Sequence, residues 1–218
     1  MLDIECSIHG EIYHLNAESF FQTNVDLLPQ LIGAALGESV GETAIELYCG
    51  VGLFTIPLAR QFTELLGVES DEAAVGLARE NLANAGLVNA KLVNENVADW
   101  LETLERAGND GALDRDRKSQ RASGLHQSHQ TQRGVAVAAL QRPDFLLLDP
   151  PRTGAESRVI NGIVRLRPKR ICYVSCDPAT LARDLKKLIA GGYAPGSLAA
   201  FDMFPQTHHV ETVVHLSG

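Results

Sequence analysis

A cysteine at the end of an apolar run is the residue of this chain best suited to nucleophilic chemistry. Cys176 ends the segment 170–176 and is followed by Asp177 and Pro178. Asp177 is a good N-cap and Pro178 a good first helical residue, so the pair predicts a helix that begins directly after the cysteine. The partial positive charge of that helix terminus favours a thiolate, whereas the neighbouring carboxylate opposes it. Cys172, inside the same run, is expected to be buried and inert.

A carboxylate near the C-terminus is the candidate general base. Glu211 follows Thr207, His208, His209 and Val210. Two histidines and a glutamate suggest a metal site, but their spacing is not that of a zinc-binding H-E-x-x-H helix, and we predict no metal. Instead, the segment is expected to enter the last strand and to present Glu211 to a crevice, where it would act as a base within hydrogen-bond reach of a proton. The alternative is an ordinary half-exposed strand acid.

Two further motifs indicate a nucleotide-like ligand. The segment 46–52 (ELYCGVG) closes a predicted strand with a glycine turn, which lets the backbone approach a ligand. Glu69 ends the next strand about 20 residues later, where a carboxylate accepts both ribose hydroxyls of an adenosine. These two features suit either NAD or S-adenosylmethionine. The segment 149–152 (DPPR) forms a loop that two prolines hold rigid and that places Asp149 for recognition of a planar base, which favours a methyltransferase over a dehydrogenase.

The elements that must position these residues alternate between short apolar runs and helical patterns. The pattern predicts an α/β fold of the Rossmann-like kind, with a parallel sheet covered on both faces. Because a short connection joins the last two of seven strands, the last is expected to run antiparallel at the sheet's end, and the ligand crevice to lie at the carboxyl ends of the others. The predicted strands are 43–49, 64–69, 90–93, 144–149, 170–176, 197–204 and 210–216, and the predicted helices are 24–36, 53–61, 72–85, 97–106, 155–166 and 178–190.

One segment, 107–141, does not fit this alternation. It contains no aromatic residue and is rich in Ser, Gln, Arg and Gly, which predicts disorder. Its basic residues outnumber its acids, so one interpretation is a basic arm for RNA. A tolerated surface insertion is the interpretation that we favour.

Composition sets outer limits on function. The 218 residues suit one domain, and the net charge of −8 argues against a surface that grips nucleic acid over its whole extent, although a local basic groove or a separate domain could do so. No apolar run approaches the roughly 18 residues of a membrane helix, and the N-terminus lacks the pattern of a secretory signal, so we expect a cytoplasmic protein that does not bind membranes.

Taken in order, these motifs resemble those of the RNA uracil-C5 methyltransferases, bacterial enzymes that form 5-methyluridine in transfer and ribosomal RNA. The Ser-Cys-Asp-Pro and His-His-Val-Glu segments together are the specific part of the resemblance. It implies a class I S-adenosylmethionine-dependent methyltransferase fold with a seven-stranded sheet, S-adenosylmethionine as cofactor, and tRNA or rRNA as substrate. The matching segments are 19–24, 46–52, 67–69, 149–152, 173–178 and 207–211.

The resemblance also implies roles for individual residues. Cys176 matches the nucleophile, which adds to C6 of uracil so that C5 can take the methyl group, and Glu211 matches the base that removes the C5 proton. Leu53 departs from the Asn that many members carry in the glycine loop. The residues expected to contact the cofactor are Gln22, Tyr48, Gly50, Glu69, Asn96 and Asp149.

The family usually has an N-terminal RNA-binding barrel and a central domain before the catalytic one. We therefore expect residues 1–23 to be a lead-in from a preceding domain and residues 24–218 to be the catalytic domain, with the insertion at 107–141, acting as a monomer. Two alternatives stay open. One is an RNA cytidine-C5 methyltransferase, although that family generally carries Pro-Cys where this chain has 149–151. The other is a truncated, non-catalytic relative that binds a cofactor or partner, against which the presence of both Cys176 and Glu211 argues.

Overall fold

Strands and helices alternate through most of the chain. The computed structural model describes residues 3–16, 24–118, 142–203, 205–207 and 209–218. The strands are β1 (Asp3–Ile8), β2 (Glu11–Asn16), β3 (Gly41–Leu47), β4 (Phe62–Glu69), β5 (Ala90–Asn94), β6 (Phe145–Leu148), β7 (Arg170–Ser175), β8 (Ala194–Phe201) and β9 (Glu211–Ser217). The helices are a 3-10 turn at Val25–Leu27, α1 (Leu28–Leu36), α2 (Thr55–Gln61), α3 (Glu72–Asn84), α4 (Val97–Lys118), α5 (Ser157–Leu166) and α6 (Pro178–Ala190).

A seven-stranded sheet forms the centre of the molecule, in the order β5-β4-β3-β6-β7-β9-β8. Strands β5 to β7 of this order are parallel, and β9 runs antiparallel to both β7 and β8. The predicted fold class and the antiparallel direction of the last strand are therefore confirmed. The predicted place of that strand is wrong, because β9 lies between β7 and β8 and leaves β8 at the edge.

Both faces of the sheet are buried, as near-continuous apolar strands require. In β6, Phe145 and Leu147 pack into one core cluster, and Leu146 and Leu148 pack into the other, with none of the four exposed. Burial of each such side chain contributes roughly 1.5–3 kcal/mol relative to an exposed one. The parallel strands are therefore held firmly enough to fix the loops at their carboxyl ends.

An N-terminal hairpin, β1 and β2, packs on one of these faces. The fully buried Asn81 of α3 accepts a hydrogen bond from His14 N (2.7 Å) and donates to His14 O (3.1 Å) and Val51 O (3.0 Å). No element is predicted here from the sequence. The overlooked signal is the two-residue turn, where His9 and Gly10 both have positive φ (52° and 83°), as hairpin turns between strands prefer.

Two predicted element boundaries are wrong. Helix α4 continues to Lys118, so the prediction of disorder from residue 107 fails for the first part of that segment, and residues 119–141 lie outside the described ones. In the sequence, Asp114 precedes Lys118 by four positions, an order that favours helix. Strand β8 begins at Ala194 rather than residue 197, because a register shift between Pro195 and Leu198 accommodates a proline and a glycine that the sequence marks as a turn.

The helices of the described residues include none that is both long and apolar enough to cross a membrane.

Candidate active site

A cleft of about 730 Å³ opens beside the carboxyl ends of the parallel strands. This volume is in the range of sites for cofactors and small molecules. Of the residues that the sequence analysis singles out, those that line the cleft are Tyr48, Gly50, Glu69, Asn96, Asp149, Cys176 and Glu211. Gln22 lies outside the described residues. Seven of the eight predicted site residues are therefore brought together, although each role is still a prediction.

The glycine turn after β3 has a constrained backbone. Tyr48 N and Cys49 N both donate to Val68 O, at 2.8 and 3.2 Å, which ties the turn to the end of β4. Tyr48 has φ +64°, a left-handed conformation that costs a non-glycine residue on the order of 1–3 kcal/mol. Such strain persists only where the surroundings enforce it, and it commonly marks ligand sites.

Glu69 is an oriented acceptor at the edge of this turn. Its Oε2 accepts from Gly50 N (3.1 Å), and its Oε1 accepts from Ser70 N (2.6 Å) and Asp71 N (2.8 Å). Asn94 Nδ2 donates to the carbonyls of Glu69 and Ser70, which holds the strand end in place. A carboxylate fixed beside a glycine turn is suited to accept the hydroxyl hydrogens of a ribose.

Asn96 has a structural role in addition to its place in the cleft. Its Oδ1 accepts from Ala98 N (2.9 Å) and Asp99 N (3.4 Å), so it caps the N-terminus of α4. The carbonyl oxygen of this side chain is therefore engaged, and its amide NH₂ is the group suited to contact a ligand.

Cys176 follows β7 directly, at the start of α6. Asp177 Oδ1 accepts from Ala179 N (2.9 Å) and Thr180 N (2.8 Å), and Pro178 is the first helical residue, which confirms the predicted cap. The thiol is partly exposed, in contrast to Cys172, which is fully buried as predicted.

The register of β7 against β9 brings Glu211 next to this cysteine. Ser175 pairs with Thr212 at the end of the antiparallel ladder, and Cys176 and Glu211 are the residues directly beyond that pair. Glu211 alternates onto the face where Val213 packs in the core cluster that also contains Val174. Glu211 is fully buried, and both residues line the cleft.

Acidic side chains dominate the electrostatics around the thiol. Burial raises the pKa of Cys176, and the charges of Glu211 and Asp149 raise it further, while Arg152 opposes them. Burial also raises the pKa of Asp149 well above its ordinary value of 3.8, and Glu211 and Glu46 add to that shift. Burial and the two nearby carboxyl groups therefore favour the neutral form of the Cys176 thiol.

Two charged residues that act on this site, Glu46 and Arg152, are given no role by the predictions from sequence. Glu46 is buried, accepts from Thr55 Oγ1 at 2.6 Å and has its pKa raised to about 8, first by burial. Its signal is a charged residue within an apolar strand. Arg152 lines the cleft and is the cation that lowers the pKa of Cys176. Its signal is its place beside the prolines of the DPPR segment. Among the described residues, no group of three or more side chains is arranged to hold a metal ion.

Comparison with known proteins identifies the family. A family model described as tRNA (Uracil-5-)-methyltransferase matches residues 3–218. The chain belongs to this family. The resemblance predicted from the motifs is thereby confirmed.

Curated relatives in the family agree with this assignment. A 23S rRNA (uracil(1939)-C(5))-methyltransferase of Edwardsiella ictaluri is 35% identical over 209 residues, which are 94% of this chain and 40% of that protein. An uncharacterized RNA methyltransferase of Thermotoga maritima is 34% identical, again over 94% of this chain and 40% of the relative. This chain thus spans about 40% of the length of these relatives.

Solved structures show the same fold. A tRNA (uracil-54, C5)-methyltransferase of Pyrococcus abyssi in complex with S-adenosyl-L-homocysteine is 28% identical with a TM-score of 0.72, and the match covers 98% of this chain and 44% of that one. A putative SAM-dependent methyltransferase of Streptococcus mutans, at 12% identity and a TM-score of 0.68 over 98% of this chain and 55% of that one, supports the fold alone.

Proposed function

We propose that this chain methylates C5 of a uridine in RNA, with S-adenosylmethionine as cofactor and Cys176 as nucleophile. The observation that carries the proposal is the neighbouring position of Cys176 and Glu211 across β7 and β9, within the cleft that also contains the glycine turn and Glu69. A nucleophile and a base that share one cleft with a nucleotide-type site are the parts that this chemistry needs.

The cleft fits the cofactor by the chemistry of its lining. Glu69 would accept the ribose hydroxyls, the backbone around Gly50 would lie against the cofactor, and Tyr48, Asn96 and Asp149 would complete the contacts, together with Gln22. S-adenosylmethionine supplies the methyl group when bound. The Pyrococcus abyssi relative, whose structure contains S-adenosyl-L-homocysteine, supports this assignment.

Cys176 and Glu211 would divide the covalent chemistry between them. C5 of a neutral uracil is a weak nucleophile, so the Cys176 thiolate first adds to C6 and forms an S–C6 bond, which moves an electron pair to C5. After C5 has gained the methyl group, the Glu211 carboxylate takes the C5 proton. The electrons of that C–H bond restore the C5–C6 double bond, the S–C6 bond breaks, and the thiolate is released.

The neutral thiol requires a proton acceptor before this addition. Glu211 and Asp149 are the carboxyl groups whose charges raise the pKa of Cys176. The Asp149 carboxylate would accept the thiol proton as the substrate binds, which leaves Glu211 ionised to take the C5 proton afterwards.

The target uracil must leave the base stack, because the thiolate has to reach C6 while the methyl donor and the general base have to reach C5. Single-stranded or flipped-out presentation is the usual solution for enzymes that react on a base. This requirement favours a loop of tRNA or rRNA as the substrate.

The deciding experiment identifies the methylated nucleoside. The chain is incubated with labelled S-adenosylmethionine and bulk RNA from cells that lack 5-methyluridine, and the RNA is digested and analysed by mass spectrometry. Labelled 5-methyluridine is the expected product, and Cys176→Ala protein is the control. Labelled 5-methylcytidine would support the cytidine alternative. Cofactor binding without any methylated nucleoside would support the non-catalytic one.

A further inference from the structure

A buried carboxylate on α6 lies outside the chemistry described above. Asp184 has no exposed surface, because it lies on the same buried face of the helix as Leu181 and Leu188. Its Oδ2 accepts from the Tyr173 hydroxyl (2.8 Å) and from Ala155 N (2.9 Å). A buried carboxylate is retained only where donors of this kind compensate for its lost hydration.

Arg183 completes this arrangement and extends it to the loop after β6. Its Nε donates to Asp184 Oδ1 (2.8 Å) and its Nη2 to Asp184 Oδ2 (3.1 Å). The same Nη2 donates to the carbonyls of Thr153 (3.0 Å) and Ala155 (3.3 Å). One carboxylate and one guanidinium therefore hold the backbone of the loop at two residues.

The loop is shaped to receive these two side chains. Gly154 has φ +74°, and a Cβ at this position would lie 2.5 Å from Arg183 Nη2 and 2.7 Å from Asp184 Oδ2. Only glycine permits both the left-handed backbone and this close approach. Thr180 Oγ1 adds a weaker contact to Arg152 O at 3.4 Å.

We infer that Asp184 and Arg183 are positioning residues that fix the 149–155 loop relative to Cys176. The loop begins at Asp149, whose N–H donates to Leu47 O (3.4 Å), so β3 fixes one end and α6 fixes the other. Helix α6 begins just after Cys176. The pair therefore holds Asp149 and Arg152, which act on the thiol, at a set distance from it. The expected effect on the rate of methyl transfer rests on the proposed function, whereas the contact between α6 and the loop does not.

Two variants test the contact by different routes. In Asp184→Asn the remaining side-chain oxygen can still accept hydrogen bonds from the Tyr173 hydroxyl and from Ala155 N. The new amide NH₂ then faces the Nε–H of Arg183, so two hydrogen-bond donors meet where a donor and an acceptor met before. Arg183→Gln removes the guanidinium from a half-exposed position, so it is the safer variant for folding. The matched control is Arg165→Gln, which removes the contact of another half-exposed guanidinium with Glu105 (2.9 Å) at the C-terminal end of α5.

Hydrogen exchange and single-turnover kinetics give the two readouts. We expect the amides of residues 152–155 to exchange roughly tenfold faster in both variants than in the Arg165→Gln control, because the local opening of the loop becomes easier. With saturating S-adenosylmethionine, the rate of methyl transfer should fall by about 10- to 100-fold, since a displacement of about 1 Å has effects of this size. The dissociation constant of the cofactor should change by less than about threefold, because an effect confined to the reacting geometry lowers the rate and leaves ground-state binding intact.

The outcomes distinguish failure of the positioning role from failure of the proposed function. If amide exchange at residues 152–155 and the transfer rate both match the control, Asp184 is only a structural residue and the inference is wrong. Faster exchange with an unchanged transfer rate would also overturn the positioning role. If the wild-type chain methylates no uridine, the proposed function fails, while the exchange data still accept or reject the contact.

Discussion

Cys176 and Glu211 lie directly beyond Ser175 and Thr212, the last pair of the antiparallel ladder between β7 and β9, and both residues line the same cleft. The backbone hydrogen bonds of that ladder therefore fix the points from which the two residues extend. Glu211 also pairs with Phe201 of β8, so the sheet holds its backbone. If Glu211 is the base that we propose, its attachment to the sheet would keep it in place relative to Cys176 throughout the reaction.

Replacement of the nucleophile should stop the reaction without disturbing the cofactor. Cys176→Ala is expected to abolish methyl transfer and the covalent complex with RNA that contains 5-fluorouridine, in which C5 has no proton to lose. Gel shift under denaturing conditions detects the complex, and calorimetry with S-adenosyl-L-homocysteine measures binding. Cys6→Ser, outside the cleft, is the control and should behave as wild type. Normal turnover by Cys176→Ala would remove the assignment.

Replacement of Glu211, the proposed general base, should stop the reaction after methyl transfer and before release of the RNA. With Glu211→Gln the thiolate can still add and C5 can still gain its methyl group, but nothing removes the C5 proton. Ordinary uridine RNA should then remain attached to the protein and carry labelled methyl, while turnover falls by about 100-fold or more, within the usual range for loss of a general base. Peptide mass spectrometry of the complex would locate the bond. Free methylated RNA released at the wild-type rate would show that another group is the base.

The pKa of the Cys176 thiol should depend on the charged side chains around it. Because the pKa of Cys176 is raised by burial, Glu211 and Asp149, its alkylation by iodoacetamide should increase only above the pH range of an ordinary thiol. Glu211→Gln removes a negative charge and should lower the midpoint, whereas Arg152→Gln removes a positive charge and should raise it. The measurement is made in a Cys6→Ser background. Shifts of the opposite sign would contradict the electrostatic account.

The carboxylate at the end of β4 should control cofactor affinity. Glu69→Gln weakens an acceptor that fixes the glycine turn through Gly50 N, so we expect the dissociation constant of S-adenosyl-L-homocysteine to rise roughly 10- to 100-fold, as loss of a charge-assisted hydrogen bond predicts. Glu64→Gln, an exposed acid on the same strand, is the matched control. Equal affinities of the two variants would show that Glu69 does not bind the cofactor.

A carboxylate at the far end of the sheet should contribute to stability in a pH-dependent way. Hydrogen bonds from Lys169 and from two backbone amides lower the pKa of Asp144 from 3.8 to about 2. A lowered pKa stabilises the fold above the unfolded value and loses its effect as the pH falls from about 4 towards 2. Asp144→Asn should therefore reduce the free energy of unfolding by about 2 kcal/mol at pH 7 and by much less near pH 2. Urea titrations at both pH values test this, and an equal loss at both would contradict it.

Local sequence patterns predict most of the central sheet because its strands are apolar on both faces. Strand β6 (FLLL) is a run of four fully buried residues, and runs of this kind are visible without a structure. The site motifs are equally visible, because most of them follow the end of a strand and Glu211 begins one. The location of β9 is not, since pairing with β7 rather than at the sheet's edge depends on contacts distant in sequence.

Buried charged residues are the feature that the hydrophobic periodicity of the sequence does not predict. Glu46 and Asp184 occupy positions that the strand and helix patterns assign to apolar residues. In each case a hydrogen-bonding partner, Thr55 or Tyr173, makes burial tolerable, and that partner is brought close only by the folded chain. A charged residue in an apolar stripe is the usable signal, although it does not name its partner.

The place of β9 also dictates an order of assembly. As the chain leaves the ribosome, β7 and α6 are complete before residues 211–217 exist, and β8 has no neighbour in the sheet until they arrive. We therefore expect the nascent domain to pass through a stage with Cys176 present and Glu211 absent, and with two strand edges open to pairing with other chains. Insertion of the final strand would pair both edges and add Glu211 at the same time, so the proposed catalytic pair and protection from aggregation would be acquired together.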